Sequence, residues 1–442
     1  MIRKSKYTLL INSDNLFLVY NSARNCFFKI NKETYDFIDS IQVDNIESLN
    51  EDNKNIFNKL RGYGILTTKE EDEDVVNSLR IKNIINSYSP EILGLTIAPT
   101  TSCNLRCPYC FEKNKTSKII NKSTCDNIIT FVKSHKLTRK VYVTWFGGEP
   151  LICAKWIDYL LEGFENLNDI EIGYQSIITN GTLLTKRNWY IFEKYKFHNI
   201  QVTFDGEKIT HDSKRFYKNG KGTYDSILKN LYEFCKEFPQ IDVSIRINVD
   251  KKNFNEFMTV FSELCNFFKG KQNLYIYPGI IKNCGSKDDN ALFLNNSDIV
   301  KMMYEQFDKG LSVKLPERRW NSCGASTLYS YVIGPNGELY KCWEDIGVSE
   351  RVIGNVSSRK FTNASLMNKY LLFGSHLSSP ECWECPILPI CSNDCPHDRL
   401  ENLYNSGERE LCSIYKEESG EVLKNIMLRF YKTQCNKNCN IK

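Results

Sequence analysis

The stretch of sequence that decides the fold is Thr101-Ser102-Cys103-Asn104-Leu105-Arg106-Cys107-Pro108-Tyr109-Cys110. It follows a run of β-forming residues and places three cysteines at the spacing Cys-x3-Cys-x2-Cys. A loop with that spacing can turn three thiolates toward one point, and three thiolates on a [4Fe–4S] cluster leave one iron without a protein ligand. An open metal position can bind a small molecule, as it does in other catalytic metal sites. A zinc site and three unrelated core cysteines are the alternatives that the spacing leaves open.

The composition is typical of a folded, multidomain chain. Its 442 residues, of which 41% are apolar, are enough for two or three domains and exclude a disordered protein. A net charge of +5 gives no electrostatic case for nucleic-acid binding, and no apolar run predicts a membrane helix or a signal peptide. In a reducing compartment, 18 cysteines indicate metal binding or catalysis more than disulfides. We therefore expect a cytoplasmic protein with no nucleic-acid or membrane partner.

Beyond the cysteine loop, β-forming runs alternate with amphipathic helical segments. Six such units predict an α/β fold with a parallel sheet and helical crossovers, open or partly closed into a barrel. In that architecture catalytic groups gather at the carboxyl ends of the strands. The predicted strands are Ile92–Ala98, Lys140–Trp145, Ile170–Ile178, Ile200–Phe204, Ile241–Val249 and Leu274–Ile280.

Glycine-rich and polar residues follow several of these strands. After the second strand comes Trp145-Phe146-Gly147-Gly148-Glu149-Pro150-Leu151, in which two glycines let the backbone approach a ligand closely. Backbone groups there can bind an ammonium or a carboxylate, although an ordinary strand-to-helix turn has a similar sequence. Asn180 ends the third strand, and Thr203 and Asp205 end the fourth, where Asp-Gly is also an ordinary turn.

These motifs resemble those of the radical S-adenosylmethionine (SAM) superfamily. The match consists of the cysteine triplet, with the aromatic Tyr109 before its last cysteine, and of Gly-Gly-Glu-Pro some forty residues downstream. The resemblance implies a partial (β/α)6 barrel in which Cys103, Cys107 and Cys110 hold a catalytic [4Fe–4S] cluster. It also implies that SAM chelates the open iron and is cleaved to a 5′-deoxyadenosyl radical, which abstracts a substrate hydrogen. The residues that it implies for cofactor contacts are Tyr109, Gly147, Gly148, Glu149, Pro150, Asn180, Thr203, Asp205 and Arg215.

A second group of cysteines lies near the C-terminus, where the alternation of strand and helix is predicted to stop. Its Cys-x2-Cys pair alone is also compatible with half of a zinc ribbon. Seven cysteines in this order resemble the SPASM extension of radical SAM enzymes, which binds two auxiliary [4Fe–4S] clusters and would bring the total to three. The resemblance assigns Cys323, Cys342 and Cys395 to the first auxiliary cluster, and Cys382, Cys385, Cys391 and Cys412 to the second.

One position departs from the SPASM pattern. Members with a full ligand set have an eighth cysteine shortly before the one that matches Cys323, whereas this chain reads Pro316-Glu317-Arg318-Arg319-Trp320. The first auxiliary cluster would then have an open iron or take Cys284 as its fourth ligand. An open iron could bind a substrate thiolate, which would favour a sulfur-to-carbon cross-link.

The N-terminal residues predict a small α+β domain. Three short β runs form an antiparallel meander, and two amphipathic helical patterns follow it. The arrangement resembles the winged-helix (PqqD-like) domains that bind leader peptides, here as a strand added to the sheet edge; an ordinary capping domain is the alternative. The acidic stretch Glu70–Asp74 is interpreted as a solvated boundary. The predicted domains are 1–88 for this module, 89–282 for the barrel and 283–442 for the SPASM module.

SPASM enzymes mostly act on peptides, so the resemblance implies a ribosomal precursor peptide with a leader as substrate, and a cross-link or related C–H modification as product. It also implies a reductant such as a flavodoxin or a ferredoxin. The first alternative is anaerobic sulfatase maturation, which forms formylglycine. That branch has an acid directly after the cysteine that matches Cys342; here Trp343 stands there, and Glu344, Asp345 and Asp394 are candidate general bases. The second alternative is a non-catalytic zinc-binding adaptor.

Overall fold

The computed structural model describes residues 1–44, 46–110, 116–281, 293–309, 316–318, 323–358, 360–392 and 395–439. By their internal contacts these residues fall into two compact units. The first unit comprises Met1–Tyr88, Asn295–Thr327 and Lys369–Lys442, and the second comprises Ser89–Leu294 and Leu328–Asn368. The three domains expected from the sequence do not coincide with these units, because the residues of the predicted domain 283–442 are shared between both units. That division stays a prediction.

Strands and helices alternate along most of the described chain. Several helices begin after an asparagine whose side chain accepts a hydrogen bond from the backbone N–H three residues later, as Asn31, Asn50, Asn121 and Asn295 do. The strands are β1 (Ile2–Lys4), β2 (Thr8–Ser13), β3 (Leu16–Asn21), β4 (Cys26–Ile30), β5 (Gln42–Val43), β6 (Leu66–Thr67), β7 (Ile92–Ile97), β8 (Lys140–Trp145), β9 (Glu171–Thr179), β10 (Asn199–Phe204), β11 (Asp242–Val249), β12 (Leu274–Ile280), β13 (Ser330–Ile333), β14 (Glu338–Tyr340), β15 (Gly354–Asn355) and β16 (Lys360–Phe361). The helices are α1 (Lys32–Ser40), α2 (Glu51–Gly62), α3 (Lys69–Tyr88), α4 (Lys122–Ser134), α5 (Ala154–Glu165), α6 (Tyr190–Lys194), α7 (Lys208–Lys214), α8 (Tyr224–Glu237), α9 (Phe257–Phe267), α10 (Asn296–Asp308), α11 (Ala364–Asn368), α12 (Pro380–Trp383), α13 (Pro396–Tyr404) and α14 (Glu421–Cys439).

The second unit is built on one large sheet, in which β7 to β12 are parallel and lie in sequential order. Each of these strands has the bounds predicted from the sequence to within one residue. Most of their Val, Ile and Leu side chains are buried, as expected for parallel strands covered by crossover helices. The α/β fold with a parallel sheet is thus confirmed, and the residues that follow the strands emerge at one edge of the sheet.

The same sheet continues through four strands that the sequence did not predict. β13 pairs in parallel with β7, and β14, β15 and β16 extend the sheet as antiparallel neighbours. These strands are only two to four residues long. Segments so short have too few residues to display the alternation on which strand prediction depends.

The N-terminal part of the first unit contains two small sheets. β2, β3 and β4 form the predicted antiparallel meander. β1 forms a second sheet between β5 and β6, and this sheet was not predicted. The helices α1 and α2 pack on the meander through Ile38, Phe57 and Leu60, the apolar faces that the sequence pattern indicated.

In the acidic stretch at the start of α3, Glu70, Glu73 and Asp74 are exposed as interpreted, but the interpretation was wrong for Asp72. Asp72 is only 1% exposed. Its carboxylate accepts hydrogen bonds from the Ser5 hydroxyl at 2.6 Å, the Lys6 N–H at 3.0 Å and the Thr67 hydroxyl at 2.8 Å. A buried carboxylate with three donors stabilises the local fold, and nothing in a run of five acids distinguishes it from its solvated neighbours.

The two ends of the chain share one core in the first unit. Ile11, Leu18 and Tyr20 of the meander pack against Leu423 and Met427 of α14. The meander also packs on the short segment of Ile387 and Ile390, which lies between predicted cluster ligands. None of the described helices is both long enough and apolar enough to cross a membrane.

Candidate functional site

The cysteine loop lies at the carboxyl edge of the large sheet, directly after β7, and pairs with the Gly-Gly-Glu turn that follows β8. The backbone N–H of Gly148 donates to the Thr100 carbonyl at 2.9 Å, and that of Glu149 donates to the Ser102 carbonyl at 2.9 Å. These two bonds fix the start of the loop against the turn. The structure therefore brings together two motifs that are distant in the sequence.

Close packing between loop and turn explains both glycines. A Cβ at Gly147 would lie 2.4 Å from the Thr100 carbonyl oxygen, and a Cβ at Gly148 would lie 2.3 Å from the Ser102 carbonyl oxygen. Gly147 also has a φ of +116°, which side chains rarely adopt. The close approach expected for a ligand is thus made here by the cysteine loop itself.

Glu149 is fully buried and joins the end of β8 to the end of β9. Its carboxylate accepts hydrogen bonds from the Leu151 N–H at 3.0 Å, the Thr179 hydroxyl at 2.8 Å and the Asn180 N–H at 2.7 Å. Burial raises the pKa of this carboxyl, and the three donors act in the opposite direction. Pro150, at the start of the next helical turn, is buried as well. In this structure the carboxylate holds two strand ends together.

Asn180 reaches from the end of β9 to the cysteine loop. Its side-chain amide donates to Asn104 Oδ1 at 2.8 Å and lies 3.7 Å from Cys103 Sγ. The Leu105 N–H also donates to Cys103 Sγ, at 3.4 Å, and Asn104 donates to the Thr182 hydroxyl at 2.8 Å. Hydrogen-bond donors stabilise a charged sulfur, so these contacts suit the predicted role of Cys103 as a thiolate ligand. Sequence analysis did not select Asn104 or Thr182; the available signal was an amide inside the cysteine motif.

Tyr109 is the centre of a second polar network. Its hydroxyl donates a short hydrogen bond to the Asp205 carboxylate and accepts from Arg215 Nη1 at 3.0 Å and from Asn248 at 3.4 Å. Burial raises the pKa of the Tyr109 phenol, and the charge of Asp205 adds to that rise. Three residues that were selected separately therefore meet, whereas Thr203 lies buried within β10.

His211 is buried beside this network and was missed by sequence analysis. Its Nδ1 accepts from the Asp205 N–H at 3.3 Å, so the proton is on Nε2, which donates to the Thr223 hydroxyl at 3.1 Å. That hydroxyl donates to the Arg215 carbonyl at 2.6 Å. Burial, together with the charge of Arg215, lowers the pKa of His211 to about 3 and keeps the ring neutral. The available signal was a histidine in the helix after Asp-Gly.

The three thiols of the loop suit an iron–sulfur cluster. Burial raises the pKa of Cys103 to about 11 and also raises that of Cys107, which interacts electrostatically with Cys110. Buried thiols ionise where a bound metal compensates for the lost hydration. In the described part of the chain no three His, Cys, Asp or Glu side chains are grouped for a single metal ion. The thiolates that bind a [4Fe–4S] cluster can lie farther apart than the ligands of a single metal ion, because each thiolate binds a different iron.

Two buried polar atoms beside the thiols suit a polar ligand such as SAM. Asp205 Oδ1 and Arg215 Nε are buried without a hydrogen-bond partner among the described residues. Arg215 lies close enough to Cys107 to lower the pKa of its thiol. Buried polar atoms are normally paired, so an unpaired acceptor and an unpaired donor at one place indicate a ligand position.

The C-terminal cysteines of the first unit form a second candidate site. Burial raises the pKa of Cys382, and its thiol interacts electrostatically with Cys385 and Cys412. Arg399 lowers the pKa of Cys382, and the Nε atom of this buried arginine has no hydrogen-bond partner within the described ranges. A buried donor beside thiolates suits the sulfur atoms of a cluster. The fourth predicted ligand, Cys391, follows in the next turn after Leu388–Ile390.

The ligands predicted for the first auxiliary cluster are divided between the units. Cys323 and Cys395 belong to the first unit, and Cys342 belongs to the second. The possible substitute ligand Cys284 and the candidate base Asp394 lie outside the described residues.

The residues after Cys342 include an exposed aromatic side chain and a buried acid. Trp343 is 43% exposed and stacks on Phe146, with the two ring centroids 5.3 Å apart. Asp345 is buried, 3.9 Å from the Arg351 guanidinium. An exposed aromatic side chain therefore follows the predicted ligand, where the sulfatase-maturing branch has an acid.

Comparisons with known proteins agree with this site. The family model described as the radical SAM superfamily matches residues 97–264, which include the cysteine loop and the Gly-Gly-Glu turn. A cysteine-type anaerobic sulfatase-maturating enzyme of Clostridium novyi is 24% identical over 361 residues, which are 73% of this chain and 93% of that protein. The radical SAM cyclopropyl synthase TigE of Paramaledivibacter caminithermalis is 22% identical over 466 aligned positions, covering 93% of each chain.

Two solved structures share the fold. Native anSMEcpe with bound AdoMet and Cp18Cys peptide has a TM-score of 0.58 at 21% identity, covering 79% of this chain and 100% of that chain. Streptococcus suis SuiB bound to the precursor peptide SuiA has a TM-score of 0.51 at 16% identity, covering 94% and 100%. At these identities the likeness concerns the fold alone.

Proposed function

The chain belongs to the radical SAM superfamily, and we propose that it modifies a ribosomally made precursor peptide by radical chemistry. The observation that carries the radical half of this proposal is the cysteine loop, held by the Gly-Gly-Glu turn at the carboxyl ends of the parallel strands β7 to β12. The peptide half is supported by the similarity of the chain to TigE and by the fold that it shares with SuiB, which was solved with a precursor peptide.

Membership in this superfamily implies SAM and a [4Fe–4S] cluster, and Cys103, Cys107 and Cys110 would hold that cluster. When bound, the cluster and SAM supply a 5′-deoxyadenosyl radical that removes a hydrogen atom from the substrate. The three thiols are partly buried, which limits access of water to the site.

The polar residues at the strand ends would orient the bound groups. Asn180 and the Leu105 N–H hold Cys103 in one orientation through its sulfur. The unpaired Arg215 Nε can donate to a carboxylate, and the unpaired Asp205 Oδ1 can accept from a hydroxyl or an ammonium. SAM carries all three groups, so this pair is the proposed SAM-orienting element. Tyr109 keeps the acid and the arginine at a fixed separation by bonding to both.

A leader peptide would bind to the N-terminal meander. Among the described strands, β2 and β4 are the edges of this three-stranded sheet, and an edge strand can accept an added peptide strand. The similarity to TigE covers 93% of this chain and so includes most of the N-terminal residues. The fold of SuiB, which was solved with a precursor peptide, matches 94% of this chain.

The C-terminal cysteines would hold two auxiliary clusters, which bring the total to three. Loss of a hydrogen atom followed by bond formation leaves the peptide with one electron to give away, and Cys382 and its partners would hold the acceptor. A cytoplasmic flavodoxin or ferredoxin would provide the electron that SAM cleavage consumes.

Metal analysis and peptide mass together test the proposal. After anaerobic purification and reconstitution, we expect about twelve irons per chain, four for each cluster. We also expect that, when the chain is coexpressed with a candidate precursor peptide, the mass of that peptide falls by two hydrogen atoms. Zinc without iron would instead indicate the non-catalytic adaptor, and unmodified peptides with active SAM cleavage would leave only the radical half of the proposal.

Sulfatase maturation is the second candidate function, because the Clostridium novyi relative is similar over 93% of its length. The exposed Trp343 after Cys342 favours peptide modification over it. A short synthetic peptide that contains the sulfatase sequence Cys-x-Pro-x-Arg separates the two functions. Formylglycine in that peptide would establish the second function and overturn the first.

A further inference from the structure

The cysteines Cys382 and Cys385 lie in a loop that is held by the opposite end of the chain. Lys6 Nζ donates to the Trp383 carbonyl at 2.9 Å and lies 3.2 Å from the Glu384 carboxylate. The Ser22 hydroxyl donates to the Pro386 carbonyl at 2.6 Å. The N-terminal residues therefore bind the loop at three positions, of which Trp383 and Glu384 lie between the two cysteines and Pro386 follows the second one.

Apolar and aromatic contacts reinforce these bonds. Tyr7, Ala23 and Leu79 form one buried cluster with Leu388, against which Cys382 and Cys385 pack. The guanidinium of Arg80 lies 4.2 Å from the centre of the Trp383 ring. The N-terminal module that is predicted to bind a leader peptide thus also forms one wall around the two thiols.

Lys6 brings a positive charge to this wall. Its side chain is 17% exposed, so solvent screens its charge only in part, whereas its partner Glu384 is 82% exposed. Net charge and hydrogen bonding around an iron–sulfur cluster set its reduction potential. A partly buried cation stabilises the reduced, more negative form of a cluster more than the oxidised form.

We propose that Lys6 and Ser22 are positioning residues for the second auxiliary cluster, so that the N-terminal module both holds that cluster's loop and tunes its potential. This inference rests on the proposed function, since it takes Cys382, Cys385, Cys391 and Cys412 as ligands. It adds that the module acts on redox chemistry even in the absence of a peptide.

Opposite charge changes at the loop test the proposal. In the full-length, reconstituted chain carrying Cys103→Ala, Cys107→Ala and Cys110→Ala, only the auxiliary clusters contribute to the electron paramagnetic resonance spectrum. The second auxiliary signal is the one that Cys382→Ala removes. We expect Lys6→Met to lower the midpoint potential of that signal, Glu384→Gln to raise it, and Lys6→Arg to restore the wild-type value. A purely structural role for Lys6 would not give shifts of opposite sign.

Lys4→Met is the matched control, because Lys4 also forms an ion pair, with Asp39 at 2.6 Å, and lies in the same N-terminal segment. We expect it to leave the potential unchanged. Equal midpoints in the Lys6→Met, Glu384→Gln and Lys4→Met variants would overturn the inference while leaving the proposed function intact. If Lys6→Met does not fold, the midpoint potential of the Glu384→Gln variant decides the test, because Glu384 is exposed and its replacement should not prevent folding. A parent chain with no signal sensitive to Cys382→Ala would overturn the assignment of the ligands, and the inference with it.

Discussion

The two groups of cysteines are held in place in different ways. The loop of Cys103 is supported from within one sheet: backbone bonds join it to the turn after β8, and Asn180 reaches it across 77 positions of the sequence. The loop of Cys382 is supported from the other end of the chain, and Lys6 reaches it across 377 positions. The first site is thus built by a fold that repeats one unit, and the second depends on how two remote segments meet.

Removing a ligand of the first group should have the largest effect, because it removes the site's chemistry altogether. We expect Cys103→Ala to abolish formation of 5′-deoxyadenosine from SAM and to lower the iron content from about twelve to about eight per chain. The chain should remain folded, since the strands beneath the loop keep their core. Product analysis by chromatography, with thermal unfolding as the control, measures this. Formation of 5′-deoxyadenosine by the variant would show that the catalytic cluster is wrongly assigned.

Filling the gap between loop and turn tests the support of the first group without touching a thiol. Gly147→Ala places a methyl group 2.4 Å from the Thr100 carbonyl oxygen at a φ of +116°. We expect a loss of about 3 kcal/mol in the free energy of unfolding, together with loss of the catalytic cluster. Gly220→Ala is the matched control, since Gly220 has a φ of +84° and nothing within 4 Å of its Cβ position. That control should lose about 1 kcal/mol, the cost of the backbone conformation alone.

Equal losses from the two substitutions, measured by chemical denaturation, would mean that the close packing of turn and loop contributes nothing. An unchanged iron content in Gly147→Ala would likewise contradict the idea that this packing holds the cysteines. Either result would mean that the Cys103 loop does not depend on packing within its own sheet. The contrast with the Cys382 loop, which is held by residues distant in the sequence, would then be lost.

The same contrast explains how much of the site could be predicted from the sequence. Cys103, Gly148 and Asp205 each follow a strand, and parallel strands bring their carboxyl ends to one edge whatever the intervening helices are. A repeating pattern therefore predicted both the strands and the place where the motif residues meet. It could not predict that Glu149 is fully buried, because which side a carboxylate faces depends on the neighbouring strand ends.

The support of the second group could not be predicted for a different reason. No local pattern relates Lys6 or Ser22 to the loop near Cys385, since the contact forms only when both ends of the chain have folded. Likewise Asp72 is one acid among five, and only the contacts with Ser5 and Thr67 distinguish it. Long-range polar contacts of this kind leave no trace in hydrophobic periodicity.

Acid should weaken the second unit through His211, which belongs to the network around Asp205. Its pKa is lowered to about 3 in the folded chain, compared with about 6.5 when unfolded. A base with a depressed pKa contributes stability that is present above pH 6.5 and is lost as the pH falls toward 3. Between pH 7.5 and 5.5 this group alone should reduce the free energy of unfolding by about 1 kcal/mol.

His211→Gln tests this, because glutamine is uncharged throughout that range. We expect the variant to show a smaller loss of stability between the two pH values, measured by chemical denaturation of the unreconstituted chain. An identical pH dependence of stability in wild type and variant would mean that protonation of His211 does not destabilise the folded chain. The neutral ring, and its hydrogen bond from the Asp205 N–H, would then not contribute to stability.

The smallest effect should come from Ser22, and it bears most directly on the second group of cysteines. Ser22→Ala removes the hydrogen bond from the buried Ser22 hydroxyl to the Pro386 carbonyl, which should cost about 1 kcal/mol in the free energy of unfolding. Ser40→Ala is the control, because the Ser40 hydroxyl bonds to the Asp36 carbonyl at 2.7 Å on an exposed helix and should cost less. If the remote support matters to the second cluster, Ser22→Ala should also release iron faster to a chelator than Ser40→Ala does. Equal release from the two variants would mean that the C-terminal loop holds its cluster without the N-terminal residues, and the two groups of cysteines would then be supported in the same local way.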